Sequence, residues 1–418
     1  MIRLGILLVC GCTSAPAPVA PRAGPADSAD DEPTSPPRDT APPLVTEETI
    51  GDWESPVYSD TEVMQIEITL SDAAVAALRT SPTTYVEGSV TANGHTWSPV
   101  GVRLKGSASF RGIDDKSNWK IKFQDYTDER FYGLDRLTLQ NNIWDPSMMA
   151  QDLAYRFFAA AGVPSPQTGY AWITLNGADK GLYTILESMD SQFVDRVYPD
   201  TEGNLYEMTR GCDFLGDGGC YELQVTGDDE PDPDHALATA TAAARSGDLE
   251  TIRAAFDWPR LLAFLAVERV INHPDSYSYN LNNYFVYHNP TDDTVSLIPW
   301  GADSTFVYTY PPDIDDYDCA ASAYLDVLAA WPVGYLGAFC QSDPTCWAEL
   351  SDAMVETADL LLTVDLAGYA EQNRARIRDY VAADPYVSYT IDHFDARVDC
   401  FEQWMTARPA EIAARLGR

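Results

Sequence analysis

The first part of the chain alternates between apolar and polar residues, which is the period-two pattern of half-buried β-strands. Residues 118–123 alternate most strictly, with aromatic and aliphatic side chains on one face and Lys120 and Lys122 on the other. Asn-Gly pairs at Asn93 and Asn176 predict hairpin turns between neighbouring strands. Further strands are predicted over residues 62–70, 85–91, 97–104, 134–139, 170–175 and 181–187.

Apolar residues at helical spacing dominate the second part of the chain. Residues 258–271 are apolar nearly all round, which predicts a buried helix. An earlier helix is predicted over residues 145–161, because its Asp-Pro start favours a first turn. Other helices are predicted over residues 71–79, 236–244, 249–256, 347–362, 366–382 and 397–416. The order of elements predicts an α+β protein, with a mainly antiparallel sheet over residues 56–210 and a helical part over residues 211–418.

The N-terminus has the pattern of an export signal. Arg3 gives a basic start, residues 4–9 are apolar, and a small residue precedes Cys12. This resembles a bacterial lipoprotein signal over residues 1–12, with Cys12 carrying the lipid. An ordinary export signal is the alternative, and either would make the protein exported. Residues 13–55 are rich in Pro, Ala, Ser, Thr and acidic residues, which predicts a disordered tether.

The formal net charge is −37, from 64 acidic and 27 basic residues. A field of this sign repels nucleic acid and anionic lipid headgroups, so neither is an expected partner. Apart from the N-terminus no apolar run is long enough to span a membrane, and attachment is expected only through the lipid. Five histidines without HxxxH-type spacing argue against a zinc enzyme.

Six cysteines remain after Cys10 and Cys12 are set aside. In an exported chain they suggest up to three disulfides, with fifteen possible connectivities. Proximity in the sequence favours the pairs Cys212–Cys220 and Cys340–Cys346, which leaves Cys319–Cys400.

The clearest chemistry lies in the 272–306 segment. Asp275 is followed five residues later by Asn280, and Asp303 comes after a predicted hairpin. A carboxylate, an amide and a second carboxylate in this order are the groups that phosphotransferases use as base and metal ligands. The alternative is structural, with Asp275 closing a turn and Asn280 beginning a strand.

A loop of small residues follows Lys105, and basic residues lie on both sides of this loop. Such loops let backbone amides approach phosphates closely, although an ordinary turn is the alternative. On the next strand, Lys120 or Lys122 is a candidate phosphate contact. Glu187 closes an apolar strand and needs a partner if it is buried, for which Lys120 or Lys122 is the candidate.

Taken together in chain order, these pieces resemble the CotH (spore-coat protein H) kinase-like family over about residues 60–310. The matching pieces are Val102-Arg103-Leu104-Lys105-Gly106-Ser107, Trp119-Lys120-Ile121-Lys122-Phe123, Asn141-Asn142 with Asp145-Pro146-Ser147, Asn176-Gly177 through Gly181-Leu182-Tyr183 to Glu187, Gly203-Asn204-Leu205-Tyr206, Asp275-Ser276-Tyr277 with Asn280 and Asn283-Tyr284, and Ile298-Pro299-Trp300 with Asp303 and Thr305-Phe306. Each piece is short, and their joint order carries the resemblance.

The resemblance implies an atypical protein-kinase-like fold, with an N-lobe sheet over residues 56–210 and a helical C-lobe over residues 211–418. It implies binding of ATP with Mg²⁺ or Mn²⁺ and transfer of a phosphoryl group to a protein hydroxyl. The implied site consists of Asp275 as base, Asn280 and Asp303 as metal ligands, and Lys105, Lys120, Lys122 and Glu187 around the nucleotide.

Two positions depart from the family pattern. Many members read Pro-Trp-Asp-x-Asp, whereas Gly301 stands here in place of the first Asp. The family's arginine after Asp-x-Ser is also absent, since the chain continues Met148-Met149-Ala150-Gln151. The missing carboxylate favours a second hypothesis, a cell-surface binding or adhesion module on an inactive kinase-like scaffold. The expected partner is then a surface partner instead of a protein substrate.

Overall fold

The computed structural model describes residues 55–215, 220–227, 234–306 and 326–418. All of them belong to one compact unit, Pro42–Arg418. The predictions for the signal, for Cys12 and for the tether up to residue 54 lie outside the described residues, as does Cys319. No helix in the described ranges is long and apolar enough to cross a membrane.

Seven strands form a closed barrel. They are β1 (Val63–Leu70), β2 (Val86–Ala92), β3 (His95–Lys105), β4 (Asn118–Lys122), β5 (Arg136–Gln140), β6 (Thr168–Leu175) and β7 (Ala178–Leu186), in the order β1-β2-β3-β4-β5-β7-β6. Every neighbouring pair is antiparallel except β1 and β6, which close the barrel in parallel. The α+β class is confirmed, but the predicted sheet is a barrel. The alternation in β4 places Trp119 and Ile121 in the barrel core and leaves Lys120 and Lys122 outside.

A second sheet of four strands has the order β11-β10-β8-β9. Its strands are β8 (Leu205–Met208), β9 (Tyr221–Val225), β10 (Tyr284–Asn289) and β11 (Thr294–Pro299). The hairpin predicted in the 272–306 segment is therefore present as β10–β11, and β8 pairs with β10 across its other edge.

Most helices pack with this second sheet into one large apolar core, whereas α1 packs on the barrel and α3 belongs to a smaller apolar cluster. They are α1 (Asp72–Thr80), α2 (Ala150–Ala160), α3 (Ser191–Val197), α4 (His235–Ser246), α5 (Leu249–Ala255), α6 (Trp258–Val270), α7 (Tyr277–Asn280), α8 (Tyr335–Ser342), α9 (Pro344–Thr363), α10 (Leu366–Ala383) and α11 (Ile391–Arg415). As predicted, α6 is mostly buried. By contrast α2 begins at Ala150 and not at residue 145, because Met148 has a positive φ angle.

Two of the predicted disulfides are present. Cys212 pairs with Cys220 and Cys340 pairs with Cys346, with Cα–Cα distances of 5.9 and 4.7 Å. Both distances are within the usual range for a disulfide. The predicted Cys319–Cys400 pair cannot be placed, since Cys319 lies outside the described residues.

Candidate functional site

The loop that joins α6 to β10, residues 272–283, is folded back on itself. Asn272, Leu281 and Asn283 have φ angles of 54°, 46° and 56°. Asparagine tolerates this left-handed region, whereas a leucine there is strained by about 1 kcal/mol or more. Between these turns lies the four-residue helix α7. The tight path brings residues that are five to eight positions apart into contact.

Asp275 is surrounded by three side-chain amides of this loop. Asn280 and Asn282 donate hydrogen bonds to its Oδ1, the latter at 3.1 Å. Asn283 donates to its Oδ2 at 2.8 Å and also to its backbone carbonyl at 2.8 Å. The carboxylate is therefore held in one orientation, and the predicted proximity of Asp275 and Asn280 is confirmed.

Glu268, on α6, holds the other side of the loop. Its carboxylate accepts hydrogen bonds from the backbone N–H groups of Tyr277 and Ser278, at 3.1 and 3.3 Å, and from the Ser278 hydroxyl. Burial raises the pKa of Glu268 to about 7, against the opposing effect of these hydrogen bonds. Sequence reasoning missed this residue, because it appeared only as one charge in an otherwise apolar helix.

Asp303 lies on the short 3-10 turn that follows the β10–β11 hairpin. The segment is tied to the end of α6, since the Phe306 N–H donates to the Ile271 carbonyl at 2.6 Å. Burial, and then the charges of Asp145 and Asp275, together raise the pKa of Asp303 to about 7. The charge of Asp275 therefore reaches Asp303, which places the two carboxylates near each other. Within the described ranges no three His, Cys, Asp or Glu side chains form a complete metal site.

A cationic face of the barrel lies opposite these carboxylates. Arg103 and Lys120 are direct cross-strand neighbours on β3 and β4, and Lys105 ends β3. The pKa of Lys105 is lowered to about 8. Burial and the charge of Lys120 lower it, while the carboxylates of Glu207 and Asp303 oppose this effect. The pKa of Lys120 is lowered by burial, then by Arg103. Neither lysine forms a salt bridge with any described residue.

The two remaining predicted nucleotide contacts are engaged elsewhere. Lys122 forms a salt bridge with Asp125 at 2.8 Å, on the partly exposed side of β4. Glu187 is bound by Arg196 of α3, with Nε–Oε1 at 2.8 Å and Nη2–Oε2 at 2.5 Å. It also accepts from the Gln167 N–H at 2.9 Å. The predicted pairing of Glu187 with Lys120 or Lys122 is therefore wrong, because the chain turns at the end of β7 toward α3.

Glu207 on β8 is a carboxylate near both Lys105 and Lys120. Burial raises its pKa, while Lys120 and Lys105 lower it. The sequence held a signal for it, since Glu207 is the one charged residue in the otherwise buried strand Leu205–Met208. That strand is too short to reveal its sheet partner, so the position of Glu207 could not be predicted.

Comparison with known proteins identifies the family. The model of the family described as CotH kinase protein matches residues 102–412. The chain belongs to the CotH kinase family. The match includes the barrel strands β4–β7, the second sheet and most of the helical part.

Two proteins of Bacillus subtilis (strain 168) are similar to this CotH family chain. "Inner spore coat protein H" is 25% identical over 332 residues, which cover 73% of this chain and 86% of that protein. "Inner spore coat protein H-like protein" is 49% identical over 39 residues, which cover 9% and 13%. Among solved structures, the Helicobacter pylori proinflammatory kinase CtkA aligns with 76% of this chain and 95% of its own, at 12% identity and a TM-score of 0.34.

The geometry explains why this CotH chain has glycine at position 301. Gly301 has a φ angle of +52°, and a Cβ added there would lie 2.4 Å from Oδ1 of Asn283. The Asn283 amide occupies the space that a side chain at position 301 would need, and it binds Asp275 from there. An amide from the 272–283 loop thus fills the space of a side chain at position 301 without supplying its charge.

Next to the second departure from the family pattern, near Met148, lies the buried Asp145. Asp145 accepts hydrogen bonds from the Ser147 and Ala150 N–H groups at 2.9 and 2.7 Å. Burial raises the pKa of Asp145, while Arg397 of α11 is close enough to lower it. A cation from the C-terminal helix α11 therefore lies near Asp145.

Proposed function

We propose that this protein is an exported CotH-family kinase with an atypical kinase-like fold, in which the barrel serves as N-lobe and the helical part as C-lobe. It transfers a phosphoryl group from a nucleoside triphosphate, ATP in the simplest case, to a hydroxyl of a protein substrate. The observation that carries the proposal is that Asp303 lies within electrostatic reach of both Asp275 and Lys105, that Lys120 lies next to Lys105, and that neither lysine forms a salt bridge with a described residue.

The lysines fit a polyphosphate. Burial and the neighbouring cations make the charged forms of Lys105 and Lys120 unfavourable, and Glu207 offsets only part of that cost, as the lowered pKa values of the two lysines show. An anion between them offsets it. Phosphate oxygens are acceptors only, so they match ammonium groups that have no acceptor in the described structure.

The opposite side of the cleft fits a divalent cation. Asp303 and Asn280 offer the oxygen ligands that Mg²⁺ and Mn²⁺ prefer, and the raised pKa of Asp303 marks a place where positive charge is favourable. Such a cation, when bound, neutralises phosphate charge during transfer. Gly301 supplies no further carboxylate, so Asn280 and Asp303 are the protein ligands we assign.

Asp275 is assigned as the base. Its carboxylate accepts the proton of the substrate hydroxyl while that oxygen forms a bond to the terminal phosphorus, and the nucleoside diphosphate leaves as the old P–O bond breaks. The amides of Asn280, Asn282 and Asn283 fix its orientation in advance. Lys105 and Lys120 stabilise charge on the phosphate oxygens.

Asp275→Asn tests this assignment. The variant keeps the size of the side chain, so we expect no detectable phosphoryl transfer and a melting temperature close to that of the wild type. Transfer is measured as phosphosites found by mass spectrometry after incubation with ATP and Mn²⁺ or Mg²⁺. Asp114→Asn, which removes an exposed partner of Arg79, is the control and should retain activity. Undiminished transfer by Asp275→Asn would refute the role.

A binding module without turnover is the second candidate, and Gly301 is the observation that favours it. The two functions separate in one measurement, the binding of nucleotide with and without divalent metal. A kinase should bind nucleotide in a metal-dependent way and transfer phosphate. A binding module should do neither.

We also propose that the protein is a lipoprotein of the bacterial cell envelope, anchored at Cys12. The pattern of residues 1–12 and the disulfides Cys212–Cys220 and Cys340–Cys346 support export, because disulfides persist in oxidising compartments. Metabolic labelling with a clickable fatty acid should modify the wild type and not Cys12→Ala. Equal labelling of both would refute the anchor.

A further inference from the structure

The hairpin β8–β9 lies directly against the 272–283 loop. Its turn is closed by the Cys212–Cys220 disulfide. Just before the first cysteine, the Gly211 N–H donates to the Leu281 carbonyl at 2.7 Å. The Cys212 carbonyl in turn accepts from the Tyr284 hydroxyl at 3.0 Å. The backbone of the hairpin therefore binds the C-terminal end of the loop.

The next residue, Asp213, binds the other end of the loop. Its Oδ1 accepts from the Tyr277 hydroxyl at 3.0 Å, and its Oδ2 accepts from the Tyr335 N–H at 2.8 Å. The Tyr277 hydroxyl also accepts from the Leu336 N–H at 3.0 Å. Asp213 is thus the centre of a hydrogen-bond group that joins the hairpin, helix α7 and the start of α8.

Asn280 lies between these two attachment points. Tyr277 begins the short helix α7 and Leu281 follows its last residue, Asn280. Leu281 is in the left-handed region, which persists only when surrounding contacts fix it. The Arg210 guanidinium adds a direct contact to Asn280 Oδ1 at 3.4 Å. The orientation of the Asn280 amide, and through it that of Asp275, depends on the hairpin.

We infer that residues 210–213 are positioning residues for the proposed kinase reaction, and that the Cys212–Cys220 disulfide keeps them in place. The inference rests on the proposed function, since it assigns to Asn280 and Asp275 their roles in transfer. Displacing reacting groups by about 1 Å can lower a rate by roughly a hundredfold. Loss of this disulfide therefore lowers turnover without removing any group that touches substrate.

A reductant cleaves the Cys212–Cys220 disulfide by thiol–disulfide exchange. A dithiol reductant attacks the disulfide, two electrons and two protons pass to the two sulfur atoms, and the reductant is oxidised to its cyclic disulfide. Cys212 and Cys220 become thiols, and the Gly211–Leu281 contact then depends on the hairpin backbone alone. The same state is reached without reductant in the double variant Cys212→Ser/Cys220→Ser.

The second disulfide provides a matched control. Cys340–Cys346 closes a loop with a sequence separation of 6, against 8 for Cys212–Cys220, so the two bonds restrict the unfolded chain to a similar extent. No hydrogen bond of Cys340 or Cys346 reaches the 272–283 loop in the described structure. We expect both double variants to lose a similar amount of melting temperature.

Turnover should distinguish them. In Cys212→Ser/Cys220→Ser we expect a tenfold to hundredfold fall in kcat and a higher half-activating metal concentration. The KM for nucleotide at saturating metal should stay within about twofold, because Lys105 and Lys120 lie on the barrel. In Cys340→Ser/Cys346→Ser kcat should remain within about twofold. Equal kcat in the two variants would overturn the inference.

A subtler pair of variants avoids the disulfide altogether. Asp213→Ala leaves the Tyr277 hydroxyl and the Tyr335 N–H without their acceptor, whereas Asp213→Asn retains one acceptor oxygen. We expect kcat to fall in Asp213→Ala and to recover in part in Asp213→Asn, at similar melting temperatures. Identical kcat in both would contradict a positioning role.

Hydrogen exchange separates this inference from the proposed function. Exchange of the amides of residues 277–283 should accelerate in Cys212→Ser/Cys220→Ser and not in Cys340→Ser/Cys346→Ser. If the wild-type protein shows no phosphoryl transfer, the proposed function fails, yet this comparison still decides whether the hairpin orders the loop. Unchanged exchange in both variants would refute the ordering.

Discussion

Lys105 and Lys120 are the two residues whose state depends most on what enters the cleft. Burial lowers the pKa of each ammonium group, and each lies near further cations on the barrel surface. Lys122, only two positions further along β4, is partly exposed and has Asp125 as its partner. Two lysines on the same face of β4 therefore differ in their surroundings: Lys122 has a salt-bridge partner, and Lys120 has none among the described residues.

Lys120→Met should separate binding from stability. Removing the Lys120 ammonium relieves its partial burial and its repulsion by Arg103 but leaves Glu207 with one cation fewer, so the free energy of unfolding of the nucleotide-free protein should change by less than about 1 kcal/mol. It should also weaken nucleotide binding by roughly tenfold to a hundredfold, the range for one charged hydrogen bond. Chemical denaturation and calorimetric titration measure the two effects. The control Lys122→Met should change neither much, and equal effects of both substitutions would contradict the assignment.

Gly301 tests how tightly the amide of Asn283 is packed. Gly301→Ala should lose about 1 kcal/mol from its left-handed φ angle and a further 1–3 kcal/mol from the contact with Asn283. Gly94→Ala is the control for φ strain alone, because nothing lies within 4 Å of a Cβ at Gly94. In Gly301→Ala/Asn283→Ala the loss should be smaller than the sum of the single losses. Strict additivity would show that the contact is not the cause.

Individual site residues differed in how far the sequence could place them. The proximity of Asp275 and Asn280 could be predicted because both lie in one local segment, and the β10–β11 hairpin before Asp303 could be predicted from its pattern. Glu187 was paired wrongly, because its neighbour depends on the path of the chain after β7 and not on local pattern. Glu207 and Glu268 were missed for the same reason, as a single buried charge does not reveal its partners.

At the scale of elements, helix α6 and the 272–283 loop form one unit. The helix ends at Val270, and its last turn supplies Glu268 as acceptor for the N–H groups of Tyr277 and Ser278. The periodic sequence predicted α6 and the hairpin β10–β11 well. It could not predict closure of the barrel, because β1 and β6 pair in parallel across about a hundred residues without any local signal.

The raised pKa of Glu268 predicts how stability depends on pH. Between about pH 4.5 and 7 the folded protein holds a proton on Glu268 that the unfolded chain has released. This contribution to stability is therefore complete below pH 4.5 and is lost as pH rises to about 7, a change on the order of 3 kcal/mol. His273 acts in the opposite direction, since burial lowers its pKa to about 4 and stability rises with pH up to about 6.5.

Glu268→Gln isolates the effect. Unfolding by urea should be measured at a series of pH values. As the pH rises from 4.5 to 7, the free energy of unfolding of the wild type should fall relative to that of Glu268→Gln. The exposed Glu62→Gln is the control, whose difference from wild type should not change across this window by a comparable amount. A constant difference for Glu268→Gln would rule out the buried, protonated carboxyl.

At the scale of the whole molecule, the C-terminal helices connect the two halves of the fold. Arg408 of α11 donates to the carbonyls of Arg269 and Val270 at 2.6 and 2.9 Å, where α6 ends. Phe306 packs on two aromatic rings of α11, at 5.3 and 5.7 Å between centroids. The site therefore depends on residues near the end of the chain, whose roles their helical periodicity did not indicate.

Asp384, which follows α10, connects the C-terminal helices to the barrel. Its carboxylate binds Lys116 Nζ at 2.6 Å and accepts from the Leu182 and Tyr386 N–H groups at 2.8 and 2.9 Å. Lys116 and Asp384 are both almost completely buried. In the sequence Lys116 follows two aspartates and looks like an ordinary solvated lysine. Only the tertiary fold gives it this role.

Asp384→Asn should therefore be strongly destabilising. It removes one partner of a buried ion pair and leaves the Lys116 charge uncompensated, which costs about 3–5 kcal/mol. The partly exposed pair of Arg378 and Asp395 is the control, and Asp395→Asn should be much less destabilising than Asp384→Asn. In Lys116→Met/Asp384→Asn much of the loss should be recovered, because no buried charge remains. Equal losses in the single and double variants would show that the Leu182 and Tyr386 hydrogen bonds, and not the charge pair, hold the helices to the barrel.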